Sequence, residues 1–419
     1  MTTVAGGLLL ALGAVYAWTL LRWSLGFRRV VAETDSRPLL SDAALPTLTV
    51  VIPARDEEAT IGSCVDSVLA TDYPEDKLEV IVVDDDSSDR TAAIVRGRIA
   101  QQLHPAPVLE LAGVHEDRQL DGLGTPQEPT EQTERPSRLR LIQIPENRRR
   151  ARAHKKAAIE KAVSHASGEI ILTTDADCQV PRLWPRALAS AFDTPEVAFV
   201  SGPVRYDLGH RPTLFARLQA MDFFGLMACG AGGIGIGRPN LANGASVAYR
   251  RATFEALGGF SGIDHVTSGD DELLMQKIAY GTDLTVRFCA APDAVVLTEP
   301  VHSLRQFVHQ RKRWASKGTN YPPRLQRMLL GVVGFFAALV LTGLATPFVP
   351  ALAPYLVAAI GLKALSDLTV LGPAARRFKQ MSLLRVYPLH LLLHAPHSLL
   401  VGLLGPIGGF EWKTRHVDR

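Results

Sequence analysis

The sequence is poor in cysteine and in net charge. Its 419 residues include four cysteines, Cys64, Cys178, Cys229 and Cys289, with no CxxC pair and no spacing typical of a zinc site. This pattern argues against a disulfide framework and fits buried thiols in a reducing compartment. The formal charge is only +3, and no run of lysine and arginine is interleaved with aromatic residues. Nucleic acid is therefore not expected as a partner.

Charged residues are also scarce, at 21% against 47% hydrophobic residues, so the apolar excess must be local. Residues 4–23 form a run of about twenty mostly apolar residues, long enough to cross a bilayer as a helix. A cleaved signal peptide is the alternative, but no basic segment precedes the run, which favours an uncleaved anchor over residues 1–30. Arg22, Arg28 and Arg29 lie at its end. The positive-inside rule then places the following segment in the cytoplasm, with the protein in the cytoplasmic membrane.

The chain becomes apolar again over residues 327–410. Two stretches, 328–349 and 355–372, are long enough to be membrane spans. A third stretch, 383–410, is interrupted by prolines and contains histidines, which suits a broken or interfacial helix as well as a spanning one. We therefore expect two to three membrane segments in this region.

Between these apolar regions, the chain alternates between two periodicities. Near-continuous β-branched runs predict buried strands, and apolar residues at helical spacing predict helices between them. The predicted strands are 47–53, 78–84, 138–144 and 168–174, and the predicted helices are 57–70, 88–100 and 154–166. Such alternation predicts an α/β fold with a parallel sheet, whose ligands bind beyond the carboxyl ends of the strands. Residues 112–137 are rich in proline, glycine and polar residues, which predicts a mobile surface insertion.

Two acidic clusters stand out in this region of the sequence. Asp175 and Asp177 end the fourth predicted strand, where residues two apart point the same way and can face one divalent cation, Mg²⁺ or Mn²⁺. The alternative is a solvated turn. Further on, Asp270, Asp271 and Glu272 precede an amphipathic helix. Their simplest role is a favourable interaction with the helix dipole, worth about 0.3 to 1 kcal/mol, and the alternative is a general base.

The segment that begins VVIPARDEEATIG and ends VVDDDSSDRTAAI resembles the nucleotide-binding half of the family 2 glycosyltransferases. These are inverting enzymes with a Rossmann-like GT-A fold, among them cellulose, chitin and hyaluronan synthases and ceramide glucosyltransferase. The resemblance covers about residues 47–320, within an expected GT-A domain over 45–320, and includes the DAD, SGDDE and QRKRW motifs in order. The chain departs from the usual pattern at Asp86, where a glycine is common, and in its insertion.

The resemblance implies roles for residues of this chain. The expected donor-binding residues are Pro53, Ala54, Arg55, Glu57, Asp84, Asp85, Lys155, Lys156, Asp175 and Arg313. Asp175 and Asp177 are the expected metal ligands. Asp271 is favoured over Asp270 as the base that takes the proton from the acceptor hydroxyl.

The last motif, QRKRW, matches the QxxRW signature of the family. It implies that Gln310, Arg313 and Trp314 complete the site, where Arg313 can pair with phosphate oxygens. Asn243, Gly244 and Trp314 are the expected acceptor-binding residues. An amphipathic interfacial helix over 301–318 would also explain the basic residues, and both interpretations can hold together.

The Gly-rich sequence GAGGIG, residues 230–235, satisfies GxGxxG but has no clear strand before it. A dinucleotide fingerprint is therefore not expected there, and we predict a flexible loop near the acceptor.

The sequence as a whole predicts transfer of a sugar from a nucleotide donor, a UDP-sugar by preference, to a membrane lipid or lipid-linked glycan. A processive polysaccharide synthase is the first alternative, although only about four candidate spans with few charges are available for a polar tunnel. The second alternative is a non-catalytic nucleotide-sugar sensor or scaffold of a membrane assembly, which would be expected to lack one of the motifs.

Overall fold

A computed structural model describes residues 2–103, 137–144 and 154–405, together with the backbone of 410–412 and 415–417. Its centre is a seven-stranded sheet in the order β3-β2-β1-β4-β7-β5-β8. The strands of this sheet are β1 (Leu48–Ala54), β2 (Leu78–Asp84), β3 (Leu139–Gln143), β4 (Ile170–Thr173), β5 (Val197–Ser201), β7 (Val247–Arg250) and β8 (Thr285–Phe288). Residues 112–136 of the predicted insertion lie outside the described residues.

The four strands predicted from the sequence form the parallel half of the sheet. β1 pairs with β2 on one side and with β4 on the other, and β3 pairs with β2, all in parallel. β7 runs antiparallel to β4 and β5, and β5 is parallel to β8. Strands β1, β2, β4 and β5 are buried on both faces because helices cover the sheet, and buried parallel strands are continuous apolar runs rather than alternating patterns. The predicted α/β fold with a parallel sheet is confirmed.

Helices connect the strands and cover the faces of the sheet. These are α2 (Ile61–Leu69), α3 (Thr91–Leu103), α4 (His154–Val163), α5 (Trp184–Ala189), α6 (Leu214–Gly235), α7 (Arg251–Ala256) and α8 (Glu272–Gly281). A small second sheet pairs β6 (Val204–Tyr206) with β9 (Val296–Thr298), and a short hairpin pairs β10 (Phe410–Trp412) with β11 (Arg415–Val417). Helix α9 (Leu304–Ala315) follows β9 in the chain and begins with a capping box at Ser303. It falls within the predicted interfacial segment.

Among the residues that the structure describes, three helices are long and apolar enough to cross a membrane. They are α1 (Thr2–Asp35), α10 (Pro323–Ala345) and a segment 350–377 that contains α11 (Ala353–Arg377). The last helix, α12 (Tyr387–Leu404), is continuous through its internal proline, so the predicted third stretch is helical over most of its length. α12 is not among the spanning candidates of the described residues.

The prediction of a loop at residues 230–235 was wrong. These residues form the C-terminal end of α6, and all six are buried. Glycine is used here because α6 packs very closely on α1: a Cβ on Gly232 would lie 2.4 Å from the carbonyl oxygen of Trp23. Only a residue without a side chain permits this approach of two helix backbones.

Candidate functional site

The first part of the site is the carboxyl edge of β1 and β2. Ala54 and Asp84 are partners in the parallel register, and the amide of Asp85 donates to the carbonyl of Ala54. Arg55 crosses from the end of β1 and donates to the Asp85 carbonyl at 2.6 Å. The Asp84 carboxylate is buried and accepts from the Ser87 amide.

The other residues predicted to bind the donor at this edge are Pro53 and Glu57. Pro53 lies within β1, and the Glu57 amide donates to Thr91. Asp56 and Asp86 both have positive φ, at 48° and 57°. Aspartate is among the residues that tolerate this conformation, and at position 86 it replaces the usual glycine of the family. In this chain an aspartate therefore adopts the left-handed backbone conformation at position 86.

The second part is the DAD motif, which follows the neighbouring strand β4. The Lys155 ammonium, at the start of α4, lies 2.7 Å from Asp175 Oδ1 and 2.9 Å from Asp270 Oδ2. Burial alone lowers the pKa of Lys155, but Asp175 and Asp270 outweigh it and raise the pKa. For Asp270, burial raises the pKa and Lys155 outweighs it, so the pKa is lowered. Lys155 therefore joins two acidic motifs that are far apart in sequence.

The DAD motif offers oxygen ligands suited to Mg²⁺ or Mn²⁺. Ligand atoms of Asp175, Asp177 and Cys178 all lie within 4.8 Å of one another. Burial, followed by the charge of Asp177, raises the pKa of the Cys178 thiol well above its usual value. The thiol is therefore protonated and donates toward Asp177 Oδ1 at 3.5 Å, so the carboxylates are the ligands available to a hard cation.

Asp271, the predicted base, lies on the other side of the same cluster. Its Oδ2 accepts from the Gly244 amide and its Oδ1 from the Glu272 amide, both at 2.7 Å. A Cβ on Gly244 would lie 2.9 Å from the Lys155 ammonium and 3.1 Å from Asp270 Oδ2. Gly244 therefore packs between the acidic triplet and Lys155, and the neighbouring Asn243 accepts from the Ala245 amide.

Behind Asp271 is a buried group that the sequence did not identify as functional. Glu272 is 2% exposed, its carboxylate lies 3.2 Å from the Lys317 ammonium, and it accepts from the Tyr321 hydroxyl. Lys317 is also 3.9 Å from Asp271 Oδ1. No local motif marks this contact, because Lys317 and Tyr321 lie in the connection that follows α9.

The QRKRW motif lies on α9. Gln310 accepts from the Tyr206 hydroxyl at 3.4 Å, and Trp314 is half-buried with its ring 5.7 Å from that of Phe223. Arg313 is half-buried and forms no ion pair within the part of the chain that the structure describes. The buried arginine of the motif is instead Arg311, which the sequence did not single out.

Lys156 is placed differently from its neighbour. The residue is 2% exposed, and its ammonium donates to the carbonyls of Ile263 and Val266, at 2.6 and 2.8 Å. Burial lowers its pKa to about 8. The structure thus brings Lys155 into the acidic cluster and directs Lys156 to the 263–266 loop, which packs against α4.

Known proteins share this arrangement of elements. The sequence model of glycosyl transferase family 21 matches residues 136–416, more than half of the chain, and that of glycosyl transferase family 2 matches residues 49–110. The mannosyltransferase PcManGT from Pyrobaculum calidifontis, solved with GDP-Man and Mn²⁺, superposes over 95% of this chain and 97% of its own, with a TM-score of 0.50 and 22% identity. This last likeness concerns the fold.

Two named relatives are similar in sequence. The beta-monoglucosyldiacylglycerol synthase of Synechocystis sp. is 27% identical over 301 residues, which cover 68% of this chain and 51% of the relative. The N-acetylglucosaminyltransferase of Rhizobium meliloti is 25% identical over 418 residues, which cover 92% and 84%. The chain thus spans about half the length of the first relative and most of the second. It belongs to glycosyl transferase family 21 and is a glycosyltransferase, and its residues 49–110 carry the family 2 pattern predicted from the sequence.

Proposed function

We propose that this glycosyltransferase moves a sugar from a nucleotide-sugar donor, a UDP-sugar by preference, to a hydroxyl of a membrane lipid or lipid-linked glycan, with inversion. The observation that carries this proposal is the single cluster formed by the DAD and SGDDE motifs through Lys155. It brings the candidate donor-holding carboxylates and the candidate base to one place. The proposed layout is an anchor over 1–30, a catalytic domain over 45–320 and a membrane region over 327–410.

In the proposed reaction, one Asp271 oxygen takes the proton from the acceptor hydroxyl. The acceptor oxygen forms a bond to C1 of the sugar from the face opposite the diphosphate, and the bond between C1 and the leaving oxygen breaks, with its electron pair passing to the diphosphate. Arg313 offers a guanidinium to the phosphate oxygens. Trp314 covers the acceptor and helps to exclude water, because hydrolysis of the donor is the competing reaction.

Asp175 and Asp177 are the proposed ligands of Mg²⁺ or Mn²⁺, which when bound would neutralise charge on the diphosphate. Asp177→Asn removes one anionic ligand and should raise the Mn²⁺ concentration needed for half-maximal transfer at least about tenfold, as expected when a charged ligand is lost. The measurement is transfer rate against free Mn²⁺. An unchanged half-saturation would remove Asp177 from the ligand set.

A lipid or lipid-linked acceptor is favoured over a growing polysaccharide. Three helices of the described residues are suited to span a membrane, which is few for a polar tunnel that would carry a polymer. One of the relatives is named as a synthase of a glucosylated diacylglycerol. Product analysis separates the two, because a single added sugar supports the lipid acceptor and a ladder of products supports the polymer.

The base assignment is tested by Asp271→Asn. Asparagine still caps α8, so the protein should fold, but its amide cannot take a proton. Transfer should fall at least about a thousandfold, the loss of a general base, while UDP binding stays within about twofold. The measurements are transfer kinetics and titration with UDP.

Asp270→Asn is the matched control, since it removes a neighbouring carboxylate that is paired with Lys155. Retention of more than a few per cent of transfer in Asp271→Asn would take the base role from Asp271. Loss in Asp270→Asn alone would give the role to Asp270.

A further inference from the structure

Arg311 lies inside the QRKRW motif but is not one of the three signature positions. It is 3% exposed, and its guanidinium nitrogen Nη2 lies 2.8 Å from Asp222 Oδ2 on α6. Burial alone raises the pKa of Asp222, but Arg311 and then His390 outweigh it, so the pKa is lowered. An ionised carboxylate therefore faces the buried guanidinium.

The Arg311 guanidinium lies over two aromatic rings. Its central carbon lies 4.1 Å from the ring centre of Trp314 and 4.7 Å from that of Phe307. The Trp314 ring also contacts Phe223, the residue next to Asp222 on α6. The indole is thus held by neighbouring residues of α6, by Phe223 directly and by Asp222 through Arg311.

The Arg311 contacts depend on charge and stacking more than on directed hydrogen bonds. Nη2 of Arg311 and Oδ2 of Asp222 are close enough for an ion pair. Even so, no nitrogen of the guanidinium has a hydrogen bond of good geometry among the described residues. A buried cation with unused donors is costly. A planar guanidinium can stack on an indole in a way that a lysine ammonium cannot reproduce.

The same carboxylate is near His390 and His394, a group whose ligand atoms lie close enough to hold a metal ion. Two contacts disfavour a cation there. Arg311 already neutralises Asp222, and the Lys363 ammonium lies 3.1 Å from His394 Nδ1. The carboxylate therefore fits a partner of Arg311 better than a ligand of a divalent cation.

We propose that Arg311 is a positioning residue that fixes the indole of Trp314 over the acceptor, with Asp222 as its anchor on α6. This rests on the acceptor role given to Trp314 in the proposed function. Arg311 acts through Trp314, so its replacement should change acceptor use rather than donor binding.

The test uses the full chain in detergent, labelled with 5-fluorotryptophan, in which the Trp314 resonance is the one missing from Trp314→Phe. Arg311→Lys keeps the charge opposite Asp222 and removes the planar face. We expect it to shift the Trp314 resonance and to raise the acceptor KM about tenfold, because the guanidinium stacking that holds the indole is lost, with donor KM within about twofold. Arg305→Lys, the same change at an exposed position of α9, is the control and should do neither.

A Trp314 resonance that does not move in Arg311→Lys would overturn the inference, whatever happens to transfer. A shifted resonance with unchanged acceptor KM would support positioning by Arg311, and the acceptor role proposed for Trp314 would be what fails. If Arg311→Lys does not fold, Asp222→Asn combined with Arg311→Gln removes both charges together, and the same two measurements decide.

Discussion

The pKa of Glu272 is raised, whereas that of the nearby Asp270 is lowered, because the positive charge beside Glu272 does not offset the effect of its burial. Burial raises its pKa from 4.5 to about 7, and Lys317 only partly opposes this. A carboxyl whose folded-state pKa lies above its unfolded value binds more protons when folded, so it stabilises the fold at low pH. Its contribution is complete below about pH 4.5 and is lost as the pH rises to about 7.

Glu272→Gln should remove this pH dependence. As the pH rises from the unfolded pKa of 4.5 to the folded pKa of about 7, the ionisation of Glu272 should lower the free energy of unfolding by on the order of 3 kcal/mol. Glutamine cannot ionise and should show no such loss. The measurement is the unfolding midpoint of both proteins at several pH values from about 4 to 8. We expect the wild type to lose more stability than Glu272→Gln over this range. A wild-type protein that gains stability instead would show that Lys317 outweighs burial.

Residues of the site were predictable where a local motif carries them. Asp175, Asp177 and Asp271 follow from short acidic motifs at the ends of elements. Glu272 and Arg311 were not predictable in this way, because their partners Tyr321 and Asp222 are 49 and 89 residues away in sequence. Such contacts depend on how the interfacial segment docks, which periodicity does not encode.

At the scale of elements, α1 and α6 approach each other through glycines on both helices. A Cβ on Gly26 would lie 2.1 Å from the Gly232 carbonyl oxygen, and one on Gly235 would lie 2.1 Å from that of Gly26. These are backbone atoms, so a methyl group can be accommodated only if the helices separate. The contact ties the predicted membrane anchor to a helix that also carries Asp222 and Phe223.

Gly232→Ala should therefore destabilise the protein, by about 1 to 3 kcal/mol as for other overpacked sites. Gly225→Ala in the same helix is the matched control, because its Cβ would meet only Leu371 at 3.7 Å. Alanine favours a helix over glycine by about 1 kcal/mol, so this control should be neutral or stabilising. Thermal unfolding in detergent measures both. Equal midpoints in the two variants would mean that the helices do not pack this closely.

The four strands β1 to β4 were predicted to within two residues because buried parallel strands are continuous β-branched runs. Strands β5 to β9 were not predicted. The prediction failed for α6, where glycines that serve close helix packing have the same appearance in sequence as glycines that make a loop. Composition alone cannot separate these uses, because the difference lies in the backbone of α1, about 200 residues earlier.

At the scale of the whole molecule, the predicted anchor and the C-terminal helices belong to one buried core with the catalytic domain. Tyr16 of α1 donates to Asp367 of α11 at 2.5 Å, and Arg377 at the end of α11 pairs with Asp35 at the end of α1. The two helices therefore have polar contacts both within the apolar region and at one end. Such contacts fix the register of the two helices. If both helices span a membrane, the proposed catalytic domain lies next to one of its surfaces.

If α1, α10 and α11 all span the bilayer, the turn between α10 and α11 lies on the side opposite the catalytic domain, and the connection from α11 to α12 returns to the catalytic side. The spanning segment 350–377 has 28 residues, about 42 Å of helix, so its two ends reach different surfaces. If α12 does not span the bilayer, this arrangement also leaves β10 and β11 on the side of the proposed catalytic domain.

Two engineered cysteines test this topology. Phe348 in the first turn is 86% exposed, and Ser382 in the second connection is exposed as well. In intact cells a membrane-impermeant maleimide should label Phe348→Cys, and it should label Ser382→Cys only after the cells are permeabilised. Labelling of the unmodified protein measures the background from its four native cysteines. Labelling of both sites in intact cells would show that α11 does not span the membrane, and labelling of Ser382→Cys alone would invert the proposed orientation of the catalytic domain.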